Sequence, residues 1–86
     1  MSTAALRRQL ERLLRELARA KNLDPDARDA LQDVVDEIER TLAATEPDVR
    51  PLRERVEATA LEFEAEHPRL AGVLGEITDA LAKLGI

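Results

Sequence analysis

FEAEHPRL, residues 63–70, holds the chain's only phenylalanine, its only histidine and one of its four prolines. It reads either as a small chemical site or as a corner between two helices, and the fold turns on which. Proline disfavours the α conformation in the residue before it, so His67 should leave its helix. Pro68 then suits the first position of a new helix, where its missing N–H costs little. Phe63, His67 and Pro68 are therefore read as helix-corner residues.

Apolar spacing on both sides supports the corner. Upstream, Leu52, Val56, Ala60, Phe63 and His67 form one helical stripe, and downstream Leu70, Leu74, Ile77, Leu81 and Leu84 form another. Further towards the N-terminus, Leu6, Leu10, Leu13, Leu17 and Ala20 recur at 4-3-4-3 spacing, with Ser2 or Thr3 as cap. Ala27, Leu31, Val34, Ile38 and Leu42 make a further stripe, widened by Val35 and opened by Asp24 as N-cap with Pro25 at the first helical position. Asp48 is the expected cap of the third helix, with Pro51 in its first turn, and Gly85 with Ile86 the expected C-terminal stop of the fourth. The pattern predicts an all-α four-helix bundle with helices over about 3–21, 25–44, 49–66 and 68–84, in one domain spanning 1–86.

Composition narrows the class. Hydrophobic residues make up 44%, aromatic ones 1% and charged ones 36%, with no cysteine. Disulfides and thiolate metal sites are thereby excluded. A chain this short has a marginal core when isolated, so well-patterned helices and self-association are expected to carry its stability. "MSTAALRRQL" lacks an apolar leader segment, and "LAGVLG" is far short of a membrane span. A cytoplasmic location is the expectation. The net charge of −5 argues against non-specific nucleic-acid binding.

Two surfaces exceed what one bundle requires. The fourth helix is apolar around most of its circumference, with Glu76, Asp79 and Lys83 as a narrow polar strip and small residues Ala71, Gly75, Thr78 and Ala82 beside the leucines. Such a helix is expected to be central, with neighbours on several sides. The third helix has a second apolar line, Ala58, Leu61 and Ala65, roughly opposite Phe63. Ala58, Leu61, Ala65, Ala71, Gly75 and Thr78 are thus the expected contact residues of a homo-oligomer, most simply a dimer. On the first helix, Arg8, Arg12, Arg15 and Arg19 form a basic stripe away from the leucine seam. It is read as a solvated face, supported by Glu11–Arg15 and Arg12–Glu16 pairs, or as a match for the acidic line Asp29, Asp33 and Asp36 of another copy. The alternative is a binder of anionic lipid or nucleic acid through that stripe.

Candidates for chemistry are weak. Glu64 and His67 stand at the i,i+3 spacing of di-iron bundles, but those sites need two such motifs and further inward carboxylates. Gly72 and Gly75 make a G-x-x-G inside an apolar helix without a basic flank, which fits close packing better than a nucleic-acid clamp. Ser2 is the only serine and has no visible base. No catalytic, cofactor-binding or metal residue is assigned. The expected role is a non-enzymatic interaction or scaffold module, acting through self-association and through a protein partner not identified by sequence.

The stretch LEFEAEHPRLAGVLGEITDALAKLGI, residues 61–86, resembles the ending of a family of small bacterial proteins known as domain of unknown function family 4404. Phe63, the His67-Pro68 pair, Leu70 and the tail from Ile77 to Ile86 carry the similarity. The remainder resembles the family more loosely, in total length, a leucine-rich first helix and an acidic second helix introduced by Asp-Pro. The resemblance spans essentially the whole chain. It implies a stand-alone, soluble, bacterial helical protein, and carries over no activity, ligand or catalytic residue.

Overall fold

The computed structural model describes residues 3–84 and has four helices: α1 (Ala4–Arg19), α2 (Pro25–Ala43), α3 (Arg50–Phe63) and α4 (Pro68–Leu84). There is no strand among these residues. Ser2, Gly85 and Ile86, read above as cap and stop residues, lie outside the described residues.

The helix starts differ in how they are capped. At α2 the Ala27 N–H donates to Asp24 Oδ1 at 2.8 Å, and Pro25 occupies the first position as expected. Thr3 holds the cap position of α1 but makes no side-chain cap bond; its hydroxyl instead accepts from Arg7 Nε at 3.4 Å. The α3 cap is displaced by one residue. Val49 takes the cap position and is buried, while Asp48, one residue earlier, accepts the Arg50 N–H at 3.2 Å. Burying Val49 moves the carboxylate outward, where the Arg50 guanidinium also reaches it at 3.2 Å. That side-chain bond, with the backbone bond behind it, holds the Asp48 carboxyl below its ordinary value.

The corner at 64–67 follows from proline chemistry. His67 donates its N–H to the Phe63 carbonyl at 2.8 Å. The next donor in an α-helix would be residue 68, bonding to the carbonyl of Glu64, but proline has no N–H. Pro68 thus bars a continuous helix, but the break in α3 falls earlier, at Phe63 rather than near residue 66, with 64–66 forming a turn. The His67 carbonyl then accepts the Ala71 N–H at 3.0 Å, starting α4. The His67 ring tilts against Phe63 with centroids 5.7 Å apart, so the corner is packed by its own two rings.

α4 packs against α3 and α1, and α2 closes the other side against the same two helices; the diagonal pairs α1–α3 and α2–α4 do not meet. This is a four-membered ring of helices, and the expectation of a central α4 is corrected. Its wide apolar surface has another origin. Leu70, Val73, Leu74, Ile77, Ala80 and Leu81 are all buried, because α4 fills the corner between two close neighbours rather than a hub among three. The core is otherwise formed by the aliphatic stripes, including Leu6, Leu13, Leu31, Ile38 and Val56, each at most 1% exposed. Burying each such side chain contributes roughly 1.5–3 kcal/mol, against a net stability of only about 4–13 kcal/mol for a chain of this size.

Five core positions lie outside the stripe reading, Val73 and Ala80 on α4 among them. Leu23 and Val49, in the connections, are buried against the helices. On α3, Thr59 is buried where the stripe reading placed Ala60, which is only partly covered. The 4-3-4 spacing 52-56-59-63 favours Thr59, and its hydroxyl is satisfied by donating to the Arg55 carbonyl at 2.8 Å. That local bond removes the cost of burying an unpaired polar group.

Two outcomes test the capping scheme. Asp24→Ala should cost about 1 kcal/mol in denaturant unfolding, whereas Thr3→Ala should change stability by less than about 0.5 kcal/mol, since only Asp24 caps through its side chain. By NMR titration, Asp48 should ionise at lower pH than an ordinary aspartate and return towards it in Arg50→Ala. A depressed folded-state value means that this contact adds stability at neutral pH and loses it as the pH falls through the Asp48 titration.

Candidate functional site

The outer face of the α3–α4 hairpin carries an open groove of about 600 Å³. From α3 it is lined by Glu57, Ala60, Leu61 and Glu64; from α4 by Pro68, Ala71, Gly72, Gly75, Thr78 and Asp79. The floor is apolar and the rim is acidic. The hairpin makes the groove because both helices turn their wider side chains inward, to Val56, Phe63, Leu74 and Ile77, leaving small residues outward.

Leu61 is the most exposed large apolar residue of the described chain, at 70%, and Leu14 on α1 is next at 42%. Full exposure of a single leucine is ordinary. Here it sits beside two glycines in the middle of a helix, and a Cβ added to either Gly72 or Gly75 would meet nothing within 4 Å. Neither glycine is thus needed for packing inside the protomer. Each still costs its helix about 1 kcal/mol relative to alanine. Thr78 donates its hydroxyl proton to the Leu74 carbonyl at 3.1 Å, so the donor does not project as a free group into the groove.

The groove brings together Leu61, Ala71, Gly75 and Thr78 from the sequence-derived contact set, while Ala58 and Ala65 are exposed on α3 and the following turn but do not line it. Ala60 and Gly72 complete its floor. The acidic rim of Glu57, Glu64 and Asp79 was not legible as a unit, since it forms only when two helices are laid side by side.

The basic stripe of α1 is divided. Arg12 pairs with Glu76 of α4, an ion pair that ties the two helices together at the surface. The expected Glu11–Arg15 and Arg12–Glu16 pairs do not form; a tertiary partner displaces the local one for Arg12. Arg8, Arg15 and Arg19 are exposed and have no ion-pair partner among the described residues. Two members of the acidic line of α2 are engaged within the chain: Asp33 lies 3.9 Å from Arg55 and Asp36 accepts from Gln32 Nε2 at 3.2 Å, while Asp29 is exposed; Glu37, beside the line, also pairs with Arg55.

Glu64 and His67 do not converge. Glu64 lines the α3–α4 groove, whereas His67 lines two other clefts, one with Asp24, Glu62 and Glu66 and one with Glu16 and Leu70. Among the described residues no group of three or more histidines and carboxylates is placed to hold a metal ion. Gly72 and Gly75 lie in regular helix rather than in a loop. No helix among the described residues is long and apolar enough to cross a membrane.

Comparison with curated proteins and with solved structures finds no match. A family model described as Domain of unknown function (DUF4404) matches residues 6–86, from the first leucine of the α1 seam through the α3–α4 hairpin to the C-terminal residue. With nearly the whole chain matched, this four-helix protein belongs to the DUF4404 family.

Proposed function

We propose that the protein is a non-enzymatic, self-associating interaction or scaffold module of the bacterial cytoplasm, and that the α3–α4 groove is its contact surface. The observation that carries this reading is the combination of Leu61, 70% exposed, with two mid-helix glycines that nothing in the protomer requires. A helix laid in the groove could approach the α4 backbone closely over Gly72 and Gly75 and cover Leu61. Covering about 100 Å² of apolar surface would contribute roughly 2.5 kcal/mol, enough to matter when summed along a groove.

Light scattering tests the reading. Leu61→Glu places a charge in the contact and should reduce the native mass to that of one chain, with helicity by circular dichroism unchanged because Leu61 supports no core contact. An unaltered mass would overturn the assignment. The paired substitution Gly72→Ala, Gly75→Ala separates interface from fold. It should raise the stability of the protomer by about 1–2 kcal/mol, since each new Cβ enters open space, while weakening association. Stabilisation without loss of association would remove the groove from the interface.

A further inference from the structure

This inference rests on self-association and identifies what lies in the groove. Along its rim stand Glu57 and Glu64 on the α3 side and Asp79 on α4. All three are exposed. The ion pairs among the described residues are Arg12–Glu76, Arg50–Asp48, Arg55–Asp33 and Arg55–Glu37, so none of the rim carboxylates is paired. Two copies meeting groove to groove would set these carboxylates against their own counterparts, and juxtaposed like charges disfavour an interface.

The back of α1 has the opposite charge, and its spacing matches. Arg8 and Arg15 are seven residues apart, as are Glu57 and Glu64. Glu64 keeps helical backbone angles, φ −55° and ψ −42°, although α3 formally ends at Phe63. Seven residues are close to two helical turns, so each pair lies on one side of its helix, about 10.5 Å apart along the axis. A helix lying along the groove can therefore bring two guanidinium groups to two carboxylates at once.

We infer that the groove receives α1 of a second copy, with Arg8 and Arg15 on Glu57 and Glu64 and the arginine stems lying over Leu61. The contact joins different surfaces of the two copies. It is head-to-tail and either closes as a ring or extends as a chain, in contrast to the self-complementary contact of a simple dimer.

Complementary charge reversal tests the pairing. Glu57→Arg with Glu64→Arg should by itself behave as a single chain in sedimentation, and so should Arg8→Glu with Arg15→Glu. An equimolar mixture should regain the wild-type size distribution, because the reversed groove then meets the reversed helix. The gentler Glu57→Gln, Glu64→Gln pair, which removes charge without adding any, should weaken association about fivefold. Wild-type association should also weaken as salt rises from about 0.01 M to 0.1 M, where the screening length falls from roughly 30 Å to 10 Å. A mixture no heavier than its components, or a reversed variant that assembles like wild type, overturns the inference. If Leu61→Glu disperses the assembly while both reversed variants remain assembled, self-association stands and this docking falls. A wild-type chain that remains a single chain at high concentration overturns both.

Discussion

The α3–α4 hairpin depends on the corner at 64–67, where Pro68 brings no hydrogen-bond donor. Pro68 cannot bond to the Glu64 carbonyl, so no unbroken helix runs from α3 into α4, and the chain reverses through the 64–66 turn. The break lays α4 along α3 and turns their apolar stripes towards a shared core. It also sets the small residues of both helices side by side on the outside. The only two aromatic rings of the chain, Phe63 and His67, pack against each other at this point, and the rest of the apolar core is aliphatic.

The α3–α4 hairpin has two faces under different demands. Inward, branched and long apolar side chains form the shared core, and Thr59 is admitted because its hydroxyl is satisfied locally. Outward, the chain places glycine where alanine would make a better helix and fit without contact. A sequence shaped by protomer stability alone has no reason to keep two such residues one turn apart. The same face carries an exposed leucine between acidic residues. These features share one surface, and a surface is the unit on which association acts.

Charge is sorted in the same way. The first 23 residues carry six basic and two acidic side chains, and the next 23 carry two basic and eight acidic ones. Folding satisfies part of this asymmetry internally, through Arg12 with Glu76 and Arg55 with Asp33 and Glu37. These are surface pairs, worth at most about 1 kcal/mol each, and they orient helices more than they hold them. Among the charges without an ion-pair partner are arginines on the back of α1 and carboxylates along the α3–α4 groove.

Much of this was legible in the residues. Periodicity located all four helices because an amphipathic stripe at 3.6-residue spacing has few other uses, and the Asp24-Pro25 and His67-Pro68 pairs marked starts that local chemistry enforces. Leu61 was visible as an apolar residue on the wrong side of its helix. Three things were decided only in three dimensions. The ring order gave α4 two neighbours where its composition suggested more, since hydrophobicity reports how much surface is covered and not by which element. Arg12 pairs with Glu76 rather than its local partner Glu16 because α4 brings that carboxylate within reach at the surface, and Asp48 yields the cap position to Val49, whose burial outweighs a cap interaction. The acidic-rimmed groove itself belongs to no single stretch of chain. Its walls come from two helices on either side of the 64–67 corner, and spacing along one helix carries no information about which residues of another will stand beside it.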